Sequence, residues 1–325
     1  MIIVYTLVLV AGFFALIQGA DIFVNGSSAM ARNFNIPSLI IGLTIVALGT
    51  SAPELAVSTA AALQGANEIA LSNVVGSNIF NLLGVLGICA IIYPLPVDKG
   101  VLKRDFPFST ITTGLLLIIT VGSILGSRHL ISYHMDQKIG TITRLIGLIL
   151  VSLFVCYICF LIYQAKKHSE NALEEKREPI WKCVLLIVAG LALIIAGGQA
   201  VVYGAKGIAR AAGMTETLIG LTIVAVGTSL PELVTSVVAA RKGETELAIG
   251  NVIGSNIFNL LFILGVSALI HPIAVNMASV YDMTILLGIS ILAFCFSLTS
   301  KRIARAEGII MVIIYIADVI FAVLR

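Results

Sequence analysis

The sequence predicts an all-α integral membrane protein: ten transmembrane helices in two inverted five-helix repeats, with broken helices at two GTSxPE motifs. Three observations predict it. Of 325 residues, 59% are hydrophobic and only 11% charged, with a mean hydropathy of +1.08, whereas soluble domains carry roughly a quarter charged residues. Apolar runs long enough to cross a hydrocarbon core recur along nearly the whole length. Residues 41–94 align with 219–272, without a gap, at a constant offset of 178.

The apolar runs place spans at 2–24, 36–63, 69–93, 105–126 and 139–165, then at 180–205, 214–240, 247–270, 280–299 and 303–324. The first run has no basic n-region and no small-residue cleavage site before Asp21, so it reads as a retained span rather than a signal peptide. The polar stretch 166–179 divides five spans from five. It gives a first repeat over 1–165, a cytoplasmic linker, and a second, inverted repeat over 180–325. Cytoplasmic loops retain Lys and Arg. With the N-terminus outside, 14 of the 20 basic residues fall inside, Arg241 and Lys242 among them, and 6 fall outside, Arg128, Lys206 and Arg210 among them. The expectation is a multi-pass protein of the cell (plasma or inner) membrane with both termini outside.

Charge and cysteine usage exclude other classes. A net charge of +3 with no basic stripe argues against nucleic acid as a partner. Cys156 and Cys159 form an isolated C-x-x-C inside an apolar run and read as small packing residues. His129, His134, His168 and His271 sit in loops or at helix ends, which does not support a buried transition-metal site.

The duplication is detailed. IGLTIVALGTSAPEL (41–55) faces IGLTIVAVGTSLPEL (219–233), and NVVGSNIFNLLGVLG (73–87) faces NVIGSNIFNLLFILG (251–265). About 34 of the 54 aligned positions are identical, far beyond what shared hydrophobicity produces. Five spans per copy means the second enters the membrane from the opposite side. Such inverted repeats build secondary transporters with sites near the midplane, where the repeats meet.

The chemistry concentrates at the repeat centres. Glu54 and Glu232 each lie within a long apolar run, where an ionisable residue is a functional-site hypothesis by default. Pro53 and Pro231 cannot donate to the carbonyls of Gly49 and Gly227. Carbonyls around Ala47, Leu48 and Gly49, and around Ala225, Val226 and Gly227, are thus expected to lack full helical partners. Thr50, Ser51, Thr228 and Ser229 add hydroxyl oxygens. Ser77 and Asn81, like Ser255 and Asn259, are four apart and share a helix face. Asn73, Asn78, Asn251 and Asn256 fall on other faces and are expected to hydrogen-bond between helices. For Gly76 and Gly254 packing is the leading reading, Asp21 reads as a helix-end polar contact, and Asp105 as solvated. Carboxylates, hydroxyls, amide oxygens and carbonyls form a hard oxygen set suited to Na⁺ or Ca²⁺ rather than to zinc or copper.

GTSxPE followed by GSNxxxN, duplicated in inverted halves, closely resembles the alpha repeats of the cation/calcium exchanger superfamily, with the motifs here at 41–87 and 219–265. The layout resembles the compact prokaryotic sodium/calcium exchangers along essentially the entire chain. The resemblance implies electrogenic exchange of several Na⁺ for one Ca²⁺ by alternating access, with the first and sixth spans sliding as a gating pair. Carried onto this sequence, it makes Glu54 and Glu232 the central ligands. Thr50, Ser51, Ser77 and Asn81 complete the first half, and Thr228, Ser229, Ser255 and Asn259 the second, while carbonyls of Ala47 and Ala225 reach flanking sodium sites. Several members carry Asp where this chain has Asn259. That departure removes one titratable group, argues against potassium coupling and leaves proton coupling open.

The implied partners are Na⁺ and Ca²⁺, transported as substrates, and the lipid bilayer; no cofactor and no protein partner is indicated. The alternatives are a Ca²⁺/H⁺ exchanger and, further off, a passive cation channel. An intramembrane enzyme lacks support, with no HExxH, no paired membrane Asp and no Ser/His pair at depth.

Overall fold

In the computed structural model the described residues are 1–122, 138–168, 178–214, 225–299 and 301–324. Arg128, His129, His134, Asp136, the linker centre at 169–177 and the repeat stretch at 219–224 lie outside them. The first apolar run forms α1 (Ile2–Phe34), ended by Asn35 in the left-handed region (φ 52) with Ile36 N–H donating to the Ala31 carbonyl. Offset by 178, α7 (Ile180–Ala211) ends the same way: Gly213 has φ 82 and Met214 N–H donates to the Ala209 carbonyl. Both helices outrun the expected spans, and on α1 the added stretch carries Asn25 and Arg32, which pair with Lys242 and Glu244. Asp21 is therefore a polar contact within a helix, not at its end.

The second run breaks as the motif demands. α2 (Ser38–Thr50) and α3 (Ala52–Leu63) are bent by 49° at Ser51, the residue between them. In the second copy α8 (Ala225–Thr228) and α9 (Leu230–Arg241) flank Ser229 in the same conformation. Pro53 and Pro231 fall in the first turn of the new helix, where a missing N–H costs nothing.

α4 (Glu68–Ile92) and α10 (Thr245–Ile270) are the most buried long helices among the described residues and form the centre. Each contains a π turn, Phe80–Val85 and Phe258–Ile263. α5 (Phe106–Gly122), α6 (Arg144–His168), α11 (Met277–Thr299) and α12 (Arg305–Leu324) surround them. Short antiparallel pairs clip the loops: β1 (Leu95–Pro96) with β4 (Arg302–Ile303), and β2 (Lys138–Ile142) with β3 (Ile273–Asn276). The span expected at 139–165 therefore begins as a strand and becomes helix only at Arg144. Among the described residues six helices are long and apolar enough to cross a membrane, or seven with the bent pair α2–α3.

α1 and α7 lie against each other along their length, and glycines at sevenfold spacing let them. A Cβ on Gly12, Gly19 or Gly26 would meet α7 atoms, and one on Gly190, Gly197 or Gly204 would meet α1, at 2.6–2.9 Å. Without a hydrophobic force between helices in lipid, such close backbone contact is how they associate. Gly254 packs likewise on Leu43 and Ala47, as expected, whereas Gly76 meets no described atom. Asp105 corrects its reading as solvated. It is fully buried, bound by both the Nε and Nη2 groups of Arg104 at 2.7 and 2.8 Å and by the Tyr157 hydroxyl at 3.1 Å.

Candidate functional site

The helix breaks at Ser51 and Ser229 set the site. Each places its glutamate in the first turn of the following helix, where unpaired N–H groups and the helix dipole favour negative charge. Glu54 and Glu232 are buried, the latter 1% exposed. Each half's serine then donates to the other half's glutamate. Ser51 Oγ lies 2.6 Å from Glu232 Oε1 and 2.9 Å from Ser255 Oγ, and Ser229 Oγ lies 2.8 Å from Glu54 Oε1 and 3.2 Å from Ser77 Oγ. A hydroxyl has one proton. Because Ser51 and Ser229 give theirs to carboxylates, Ser255 and Ser77 supply the second bond of each chain. Thr50 and Thr228 stand close enough to interact with Glu232 and Glu54 in turn.

The asparagines form a second crossed set. Asn81 Nδ2 donates to Asn256 Oδ1 at 3.1 Å, and Asn259 Nδ2 donates to Asn78 Oδ1 at 2.9 Å. Asn78 and Asn256 are pinned in turn by each other's main-chain carbonyls, at 3.2 and 3.4 Å. Asn73 and Asn251 bond between helices as expected, to Ser58 and Ser236 at 2.9 Å each. Those two serines were missed as supports, although they too match across the offset. Thr50 Oγ1 also contacts Asn251 Oδ1, at 3.0 Å.

These commitments leave a defined remainder. Glu54 Oε2, Glu232 Oε2, Asn81 Oδ1 and Asn259 Oδ1 are buried and have no hydrogen-bond partner among the described residues. All four are acceptors. Leaving a buried acceptor unmade costs roughly 1–3 kcal/mol, more for a charged group. Hard oxygen acceptors of this kind suit Na⁺ or Ca²⁺.

The carbonyl expectation is corrected in part. Around Ser51 the backbone N–H groups close on the carbonyls of Ala47 and Gly49, with Ser51 N–H at 3.1 Å from Ala47 O. Ala47 is therefore not orphaned and offers an ion only its second lone pair. In the other half Ser229 N–H reaches Val226 O at 3.2 Å.

A cavity of 340 Å³ approaches the site between α3, α7 and the second break, lined by Pro53, Val57, Gln199, Tyr203, Lys206 and Thr228, among others. Thr228 joins it to the Glu54 cluster.

Known proteins place this arrangement. The sodium/calcium exchanger protein family matches residues 4–163 and 182–324. The inner membrane protein YrbG of Escherichia coli is 34% identical over 94% of this chain and 93% of its own. The sodium/calcium exchanger MaX1 of Methanosarcina acetivorans is 32% identical over 98% of each chain. The solved structure of the sodium-calcium exchanger NCX_Mj superposes with a TM-score of 0.83 at 32% identity, covering 98% of both chains. Two crossed carboxylate–serine chains, buried in a helical membrane protein and matched from end to end by these relatives, make the chain a transporter rather than an enzyme: it belongs to the sodium/calcium exchanger family.

Proposed function

We propose that the protein exchanges Na⁺ for Ca²⁺ by alternating access, with Glu54 and Glu232 as the central ligands. The observation that carries the reading is the set of four buried acceptors left without donors, two carboxylate and two amide oxygens. Two carboxylates balance one Ca²⁺ or two or more Na⁺. The two ions compete for one charge pair, so occupancy is mutually exclusive, and exchange follows. Ser51, Ser229, Ser77 and Ser255 hold the carboxylates with their hydroxyl protons turned away from the ion. Thr50, Thr228 and the Ala47 and Ala225 carbonyls extend the oxygen set. No cofactor enters; the ions are substrates.

The architecture belongs to the same proposal: ten helices as two inverted repeats, 1–165 and 180–325, in the cell membrane with both termini outside. The ends of α1 and α7, the breaks at Ser51 and Ser229 and the π turns all recur at the offset of 178, which supports the duplication. Coupling to protons is the rival, since Glu54 and Glu232 can each take one. A pair of protons, however, would leave the Asn81 and Asn259 carbonyls unsatisfied, whereas a metal cation satisfies them too.

Proteoliposomes loaded with Na⁺ and diluted into Na⁺-free medium should take up radiolabelled Ca²⁺, faster with an inside-positive potential. Uptake driven by a pH gradient without Na⁺ would move the protein to proton coupling. Flux that needs no counter-ion would make it a channel.

A further inference from the structure

The two faces of the site differ in a way the duplication does not require. Lys242, in the turn after α9, extends its ammonium to α1. It lies 2.6 Å from Asp21 Oδ1, 2.6 Å from Asn25 Oδ1 and 3.2 Å from the Asp21 carbonyl. Three oxygens use all three ammonium protons. Arg32, farther along α1, adds an ion pair to Glu244 at 3.8 Å. Two points of α1 are thus tied to the α9–α10 corner.

At the offset of 178 these positions hold no such set. Lys242 corresponds to Gln64, Glu244 to Ala66, Asp21 to Gln199 and Asn25 to Tyr203. Backbone shape does not explain it, because the turns match, with Gly65 at φ 74 and Gly243 at φ 79. The 340 Å³ cavity lies on this second face, lined by Gln199, Tyr203, Lys206 and Val57. The counterparts of Lys206 and Val57 on the tied face are Ser28 and Thr235. Both are buried there, and their hydroxyls, with that of Ser27, have no hydrogen-bond partner among the described residues. Buried hydroxyls without protein partners suit a wall that meets water in another state.

We propose that Lys242, held by Asp21 and Asn25, is a one-sided latch: it keeps the α1 face of the ion site closed while the opposite face is open. The ammonium acts as a tethered cation at the mouth of the closed route, and Ser28 and Thr235 line that route once α1 parts from α9. The proposal rests on the alternating-access reading and assigns that cycle a device on one face only. Because the pair is partly exposed, with side chains 28% and 47% accessible, its worth is modest. Its loss should shift the populations of the two states by about two- to fivefold.

The test is cysteine accessibility in nanodiscs, where a membrane-impermeant thiol reagent reaches both faces. Ser28→Cys reports the latched face and Val57→Cys the cavity face, each against the same protein without the added cysteine. Lys242→Gln should raise the labelling rate at Ser28→Cys about two- to fivefold and leave that at Val57→Cys equal or lower. The charge swap Asp21→Lys with Lys242→Asp should restore the original rates. An unchanged rate at Ser28→Cys, or a rise at both sites from general loosening, overturns the latch. Adding Na⁺ or Ca²⁺ judges the underlying reading separately. If neither ion alters labelling at either site in the unlatched or the latched protein, alternating access fails, whatever Lys242→Gln does.

Discussion

The two halves of the molecule agree at the buried glutamates and diverge toward the periphery. At the centre, Ser51 on Glu232 and Ser229 on Glu54 repeat to within 0.2 Å, 2.6 against 2.8 Å. One turn away the halves part. Phe80 packs over Gly84, where a Cβ would meet its ring at 2.7 Å, while its counterpart Phe258 stacks on Phe262 with ring centroids 5.1 Å apart. At the periphery Lys242 ties one face, and Gln64 stands at the equivalent place. On the proposed exchange cycle, the duplication preserves the ligand chemistry that both states need and leaves the gating surfaces free to differ. An unequal pair of gates gives the two orientations unequal energies, which a symmetric core alone cannot do.

The largest effect should come from the symmetric core. Glu54→Gln and Glu232→Gln should each abolish Ca²⁺ uptake, about 100-fold or more, with folded yield preserved. Near-normal uptake in either would break the equivalence of the halves. Next is helix contact. Gly197→Ala drives a Cβ to 2.7 Å from the Leu16 backbone nitrogen, and overpacking of this kind costs about 1–3 kcal/mol. Melting of the detergent-purified protein should fall accordingly, whereas Gly288→Ala, with no described atom within 4 Å, should melt unchanged or higher. A third pair sharpens the comparison. Ser51→Ala and Ser229→Ala each remove a hydrogen bond to a carboxylate, worth about 1.5–3 kcal/mol, so apparent cation affinity should fall roughly tenfold or more in both. A marked inequality would show that the two halves are not equivalent at the site. Smallest is Asn259→Asp: it adds a third carboxylate beside Glu54 and Glu232, so Ca²⁺ uptake should become more sensitive to acid, by a few-fold over the usual carboxylate range.

Much of this was legible in the residues. GTSxPE and GSNxxxN stand out because polar groups are costly in apolar runs, and a second copy at a fixed offset turns cost into signal. The four-residue spacing predicted one shared face for Ser77 and Asn81; in the structure Ser77 meets Ser229, while Asn81 joins Asn78 on Asn256. The crossing was not legible, because a repeat has no way to say whether Ser51 meets its own glutamate or the other half's. The π turns at Phe80 and Phe258 leave no sequence mark, yet they hold Asn81 and Asn259 where Asn256 and Asn78 can take their amide protons. α1 was read short because Asn25 and Arg32 look like a loop to a hydropathy scale. Their partners, Lys242 and Glu244, are more than 200 residues away. Asp105 misled for the same reason: Arg104 is adjacent, but the Tyr157 that completes its pocket lies 52 positions on.

The central claim is that one cation site is shared by Glu54, Glu232, Asn81 and Asn259. Equilibrium Ca²⁺ binding to the purified protein in Na⁺-free buffer, with Na⁺ then added as competitor, tests it most directly. The account predicts saturable binding that Na⁺ displaces and that the Glu54→Gln/Glu232→Gln double variant loses while melting as the parent does. Saturable Ca²⁺ binding retained by that folded double variant would contradict it.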